Sequence, residues 1–359
     1  MKRVVLSLVV AVLLGSILLT GCSEPEPTSS PAPTSAPTSE PTKEPAKTVT
    51  LRWAQFATAA LEDSKPVIQM AENIETRTNG QYKVELFWSD SLVPMFEAMD
   101  AVRTGSAEMA TFPFGPFASA DIRFASSEMP LMYNTVEAQV EAQAHLMPAY
   151  STVFEEKFNQ KCLFVRSIIP MNVGSTEKPI KTMDDWDGMM TQTISPTISK
   201  IIEALGGTGA PASPIEVYEL LEKGTVDATV QSMGKYVEAM LWEVCPYVTN
   251  AGLVPASCAS TVNLDVWNKM PKEVQDIIVE EAKIAEEAIS KISVDLFYTY
   301  VDKMTSEGME VYNLPKAERE KWQAAVAPIV DDLIAQMGDF GKEVQRTADE
   351  ANAKYPYPY

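Results

Sequence analysis

From residue 48 onward, short apolar segments alternate with amphipathic ones, and most switches carry a helix stop or a helix start. Segments 48–53, 82–87, 108–112, 163–168, 189–191 and 226–230 read as strands. Segments 64–78, 96–104, 136–147 and 197–205 read as helices, with Asn79-Gly80 and Gly105 placed to end the first two. Ser213-Pro214-Ile215-Glu216 reads as a helix start, with Ser213 as cap, Pro214 at the first helical position and Glu216 completing a capping box. Gly224 ends that helix. A chain built this way is restricted to α/β architecture, and the alternation predicts largely parallel sheets.

One stretch repeats in pattern. Gly105-Ser106-Ala107-Glu108-Met109-Ala110-Thr111 and Gly224-Thr225-Val226-Asp227-Ala228-Thr229-Val230 each give a helix end, a turn, an acid and a buried strand. Ligands in open α/β sheets sit beyond the carboxyl ends of strands. The loops that follow, 112–117 and 231–236, are therefore expected to face one crevice from opposite sides. About 310 residues are too many for one ordinary core, so two lobes are expected. Between Pro271 and Thr305 there is no glycine and no internal proline, and Val274, Ile277, Ile278, Ala285, Ala288, Ile292 and Leu296 keep helical spacing. One helix of roughly 50 Å, kinked or straight, is expected to lie across both lobes. The expected division is 48–167 with about 257–290 in lobe 1, 168–256 with about 291–345 in lobe 2, and 346–359 as a C-terminal tail.

The first 47 residues are of another kind. Lys2 and Arg3 precede an uncharged apolar run over residues 4–19, shorter than the roughly 20 residues a membrane span needs. Leu19-Thr20-Gly21-Cys22 then resembles a bacterial lipobox, in which small residues admit a peptidase and the Cys22 thiol accepts a lipid. Residues 1–21 read as a lipoprotein signal peptide. Residues 22–47, rich in Pro, Ser and Thr, read as an extended linker anchored by lipid at Cys22.

Net charge is −20, which argues against nucleic acid and against a basic membrane-binding surface. With Cys22 taken by lipid, Cys162, Cys245 and Cys258 remain, an odd number that leaves no complete disulfide framework. Either Cys245 pairs with Cys258 or all three are buried thiols. His145 is the only histidine, and no zinc-spaced ligands, P-loop or GxGxxG motif occurs, so neither an enzyme nor a cofactor is expected. An extracytoplasmic hydrolase and a ligand-binding sensor subunit are the rival readings.

The ordered short matches are more specific together than singly. They are Leu51-Arg52-Trp53-Ala54, residues 78–85 (TNGQYKVE), 101–110 (AVRTGSAEMA), 115–119 (GPFAS), 130–133 (PLMY), Lys178-Pro179-Ile180, Asp185-Trp186-Asp187-Gly188, Glu216-Val217-Tyr218 and 224–227 (GTVD). From residue 48 to about 342 the chain resembles the substrate-binding proteins of tripartite ATP-independent periplasmic (TRAP) transporters, dicarboxylate type. The resemblance implies a two-lobe periplasmic-binding-protein-like fold, a cleft between the lobes and a long helix spanning both. It implies a small-molecule ligand and integral membrane TRAP permease subunits as partners.

The family's carboxylate-binding arginine, just after the glycine matched by Gly188, falls on Gln192. A second arginine falls on Met171, the family's asparagine on Gln231, a pocket aromatic on Pro214 and a polar residue on Phe56. A guanidinium recognises a planar carboxylate through paired charge-assisted bonds, which neutral amides do not replace. The expected ligand is therefore a small organic solute other than a simple dicarboxylate. Arg166 is either a displaced cation for that site or a surface residue in an ion pair. Phe112, Phe114 and Tyr236 lie on the expected cleft loops, with Phe56 and Phe114 expected to face the ligand.

Overall fold

The computed structural model describes residues 48–359. The proposed leader 1–21, the linker 22–47 and the lipidation site Cys22 lie outside them. In chain order the elements are β1 (Val49–Gln55), α1 (Lys65–Arg77), β2 (Tyr82–Phe87), α2 (Ala98–Thr104), β3 (Met109–Pro113), α3 (Val136–Lys157) and β4 (Gln160–Ser175). There follow β5 (Met190–Thr193), α4 (Pro196–Leu205), β6 (Thr208–Pro211), α5 (Val217–Glu222), β7 (Ala228–Ser232), α6 (Met233–Glu238) and β8 (Tyr247–Asn263). The chain closes with α7 (Leu264–Asn268), α8 (Lys272–Ser306), β9 (Glu310–Asn313), α9 (Lys316–Met337) and α10 (Asp339–Lys354).

Glycine sets two of the turns between them. Gly105 after α2 and Gly224 after α5 both have positive φ, 77° and 63°, a conformation that costs a residue without Cβ nothing. The 213–216 start behaves differently from expectation. The Glu216 carboxylate accepts from Ser213 N at 3.1 Å, but Ser213 Oγ accepts from Ile215 N at 3.3 Å, and the helix begins only at Val217. Ser213, Pro214 and Ile215 are therefore left as loop.

The strands form one nine-stranded sheet in the order β2-β1-β3-β8-β4-β7-β5-β6, with β9 also on β8. Pairing is mixed, not largely parallel. β1 is parallel to β2 and β3, and β5 to β6 and β7, but the central pairs β3–β8, β4–β8 and β4–β7 are antiparallel. Two strands of 16 and 17 residues, β4 and β8, carry this change. Their Gln160-to-Ile168 and Ala256-to-Asn263 ends pair in one lobe, and their other ends pair beside β7 in the other. The ladder breaks between Ile168↔Ala256 and Met171↔Val254, where Pro170 and Pro255 sit. Proline has no N–H to donate, so a break in a central strand is where it is tolerated.

α8 is one helix of 35 residues. Its first half buries Val274, Ile278, Ala282, Ala285 and Ile289 against β1 and α1. Its second half buries Leu296, Phe297 and Met304 in a different core with Met233, Tyr236 and Val248. A third core is aromatic, built on Phe112, Phe114, Phe124, Tyr150 and Phe154, and a fourth holds Trp186 against Trp322. α10 runs to Lys354 and buries Val344, Ala348 and Ala351, so most of the residues expected to form a tail are packed helix. The three cysteines Cys162, Cys245 and Cys258 are buried free thiols.

Candidate functional site

A cavity of about 540 Å³ lies between the two halves of the sheet. The loops after β1, β2 and β3 supply one wall, through Phe56, Asp63, Asp90, Pro113 and Gly115. Ile194, Pro214 and Ile215 from the loops after β5 and β6, with Gln231 of β7 and Lys235 of α6, supply the other. Ser293, Leu296 and Tyr300 of α8 close the back, one helical face at i, i+3 and i+7. The site thus stands at the carboxyl ends of strands from both lobes. The 112–117 and 231–236 loops face it from opposite sides, as their shared pattern implies.

Five of the nine candidate ligand residues within the described chain line this cavity: Phe56, Arg166, Met171, Pro214 and Gln231. Four do not. Phe112 and Phe114 are fully buried in the aromatic core, Phe112 edge-on to Phe117 at 5.2 Å and Phe114 over Tyr150 at 4.4 Å. The turn at 115–117 leaves Pro113, Gly115 and Pro116 on the cavity side instead. Tyr236 is also fully buried, its hydroxyl within 3.1 Å of Asn172 O and 3.2 Å of Thr229 O. Gln192 is one layer behind the wall. Its Oε1 accepts from Gln231 Nε2 at 2.8 Å and Thr229 Oγ1 at 2.6 Å, and its Nε2 donates to Ala212 O at 2.8 Å. It orients Gln231 and the 213–215 loop without touching the cavity.

Arg166 is buried, not a surface residue, and its Nη1 bonds the Asp63 carboxylate. Burial alone would lower its pKa, but Cys258 and Asp63 outweigh burial and hold the guanidinium charged. Lys235, the other cation on the wall, pairs with Glu238 at 3.5 Å. Glu128 is the residue the sequence least announces. It lies wholly inside, packed against Gly115, where any Cβ would meet its Oε1 at 1.8 Å. Burial pushes its carboxyl up to about 7, although Ser195 Oγ donates to it at 2.7 Å. Burial likewise raises the Asp90 carboxyl. Burial, then the nearby carboxylates Asp63, Glu62 and Glu238, push the Tyr300 phenol up to about 12. The alternation of hydrophobic and polar residues on α8 was the available signal for Ser293 and Tyr300. Nothing local marks Glu128.

Among the described residues no cluster has the makings of a metal site, and no helix is long and apolar enough to cross a membrane. His145 is exposed on α3. Neither Arg123, bound to Asp121, nor Tyr133, on a separate small cavity, lines the main one.

The sequence model of the family described as "Bacterial extracellular solute-binding protein, family 7" matches residues 57–337. A solute-binding protein of Verminephrobacter eiseniae is 22% identical over 283 residues, covering 77% of this chain and 83% of that protein. The C4-dicarboxylate-binding periplasmic protein of Rhodobacter capsulatus is 22% identical over 303 residues, 81% of this chain and 88% of that protein. Among solved structures, a Bordetella pertussis extracytoplasmic solute receptor binding pyroglutamic acid superposes with TM-score 0.79 at 17% identity, over 84% of this chain and 99% of that one. The match over residues 57–337 spans both walls of the cleft, and the chain belongs to family 7 of the bacterial extracellular solute-binding proteins, the substrate-binding proteins of TRAP transporters.

Proposed function

We propose that this chain holds a small organic solute other than a simple C4-dicarboxylate in the inter-lobe cavity and delivers it to integral membrane permease subunits. Lipid on Cys22 tethers it to the extracytoplasmic face of the membrane. The observation that carries the ligand reading is the state of Arg166. Among the described residues it is the one arginine on the cavity wall, and Asp63 of the same wall already occupies it. Enclosing a dicarboxylate strips water from two charges, and an unpaired buried charge costs several kcal/mol. The amides and apolar groups at Gln231, Met171 and Pro214 offset little of that. The Rhodobacter relative is named for C4-dicarboxylates and the Bordetella receptor for pyroglutamic acid, so the family's solutes vary while the fold is kept.

A thermal-shift panel on the purified protein tests this reading. Succinate, malate and fumarate are expected to leave the melting temperature unchanged at millimolar concentration. A solute from a panel of sugar acids, amides, amines and aromatic compounds is expected to raise it. At 100 times its Kd such a solute stabilises by about 2.7 kcal/mol. Micromolar calorimetric binding of any of the three dicarboxylates would overturn the ligand reading.

A further inference from the structure

The cavity wall carries four acids, Asp63, Asp90, Glu128 and Glu238, and two bases, Arg166 and Lys235. Both bases have acids of the same wall beside them: Arg166 is bound to Asp63, and Lys235 lies 3.5 Å from Glu238. Among the described residues that leaves Asp90 and Glu128 without a cationic partner, so the wall holds two more acids than bases.

The unpaired Asp90 and the Arg166-bound Asp63 both flank one aromatic ring. The loop after β2 is stitched to either side of Phe56: Ser89 N donates to Ala57 O at 3.0 Å and Asp90 N to Gln55 O at 3.2 Å. Asp90 is held there with φ of 60°, a left-handed conformation that few residues other than Gly, Asn and Asp accept. Asp63 comes from the loop that continues from Phe56 itself, pinned where Ser64 Oγ donates to Thr58 O at 2.8 Å. Tyr300 faces this wall from α8 and covers Gly234, where a Cβ would sit 3.3 Å from the Tyr300 ring. Asp63 Oδ1 and Asp90 Oδ1 have no hydrogen-bond partner among the described residues.

Two further atoms point to a bound molecule independently of the acids. Arg166 is 4% exposed and Ser257 is 1% exposed, both line the cavity, and Arg166 Nε and Ser257 Oγ lack partners among the described residues. The first offers a donor, and the second offers either role. The two carboxylates accept from N–H donors, and Arg166 Nε and Ser257 Oγ can bond an acceptor oxygen where a solute carries one. Apolar surface lies between, from Met171, Ile168 and Leu296.

We infer that the solute class is a small organic amine, primary or secondary, with a protonated nitrogen lodged between Asp63, Asp90 and the faces of Phe56 and Tyr300. The inference rests on the reading of this cavity as the solute site. A cation near aromatic faces is attracted by their quadrupole, and N–H donors satisfy carboxylate oxygens through charge-assisted bonds. A quaternary ammonium satisfies the rings but not the oxygens, so it binds more weakly than its N–H counterpart. A carboxylate in the same place meets the unpaired Asp90 carboxylate, and the guanidinium beside it is already bound to Asp63.

The test uses matched amine, alcohol and carboxylate on phenylethyl, n-butyl and cyclohexylmethyl frames, titrated calorimetrically into the purified protein beside the wider panel. The amine is expected to bind at least ten-fold tighter than the alcohol on the preferred frame, and the carboxylate more weakly than both. Asp90→Asn is expected to lower amine affinity at least ten-fold while leaving the alcohol within about two-fold; a loss shared equally by amine and alcohol marks a purely structural role and overturns the inference. Asp63→Asn, which releases Arg166, is expected to lower amine affinity and raise carboxylate affinity. If carboxylates bind best to the unaltered protein on every frame, the amine class is overturned and the cavity reading stands. If nothing in either panel binds, the cavity reading falls and the inference with it.

Discussion

Glu128 holds a carboxyl that is 2% exposed, with Ser195 Oγ donating to it at 2.7 Å. Its pKa near 7 in the folded protein, against an ordinary 4.5, makes it a pH-dependent weakness. Because the folded value is the higher one, the fold benefits fully while both forms are protonated, below about pH 4.5. That benefit is lost as pH rises towards 7 and stays lost above it. A shift of this size is worth on the order of 3 kcal/mol. Glu128→Gln keeps an acceptor for Ser195 and removes the titration, so the variant is expected to gain on the unaltered protein between pH 5 and pH 8. Urea denaturation at the two pH values reads this, and an unchanged difference between the two proteins refutes it. Gln192 and Phe114 show why single residues are hard to place from sequence. Each sits in the right loop or strand, yet one layer of packing separates it from the cavity. Strand neighbours on both sides bury Gln192, and a turn of three residues sends Phe114 inward.

At the scale of elements, α8 and the β4–β8 pair tie the lobes together. The helix was legible because absence of glycine and proline over more than thirty residues is itself a signal. β8 was not, because a strand buried on both faces shows no alternation, and Pro255 argues against a central strand unless the ladder is known to break there. If α8 acts as one rigid connection, interrupting it at an exposed position is costly. Glu287 is exposed and makes only a 3.8 Å ion pair with Lys283, an interaction worth little at the surface. Glu287→Pro removes one backbone hydrogen bond and clashes with the preceding turn, which predicts a loss of about 3 kcal/mol or more. Glu287→Ala is expected within about 0.5 kcal/mol of the original. Equal denaturation midpoints for the two variants would dismiss the single-helix account.

For the molecule as a whole, a net charge of −20 and the Leu19-Thr20-Gly21-Cys22 match suit the proposed tether, which would hold the particle off an anionic membrane. Mass spectrometry of protein from its native membrane is expected to find residues 1–21 absent and Cys22 carrying lipid; an intact N-terminus or a bare Cys22 rejects the anchor. The sequence by itself determined the α/β class, the two halves, the spanning helix and the family, because each follows from local periodicity, helix stops and short ordered motifs. It also brought the two loops 112–117 and 231–236 to one crevice, because strand polarity fixes where loops emerge. Tertiary structure alone decided the mixed sheet and the chemistry of the cavity. Asp63 meets Arg166 across 103 residues, and Glu128 meets Ser195 across 67. Whether a charge on that wall is spent or available depends on which distant side chain folds against it, and no local pattern encodes that pairing.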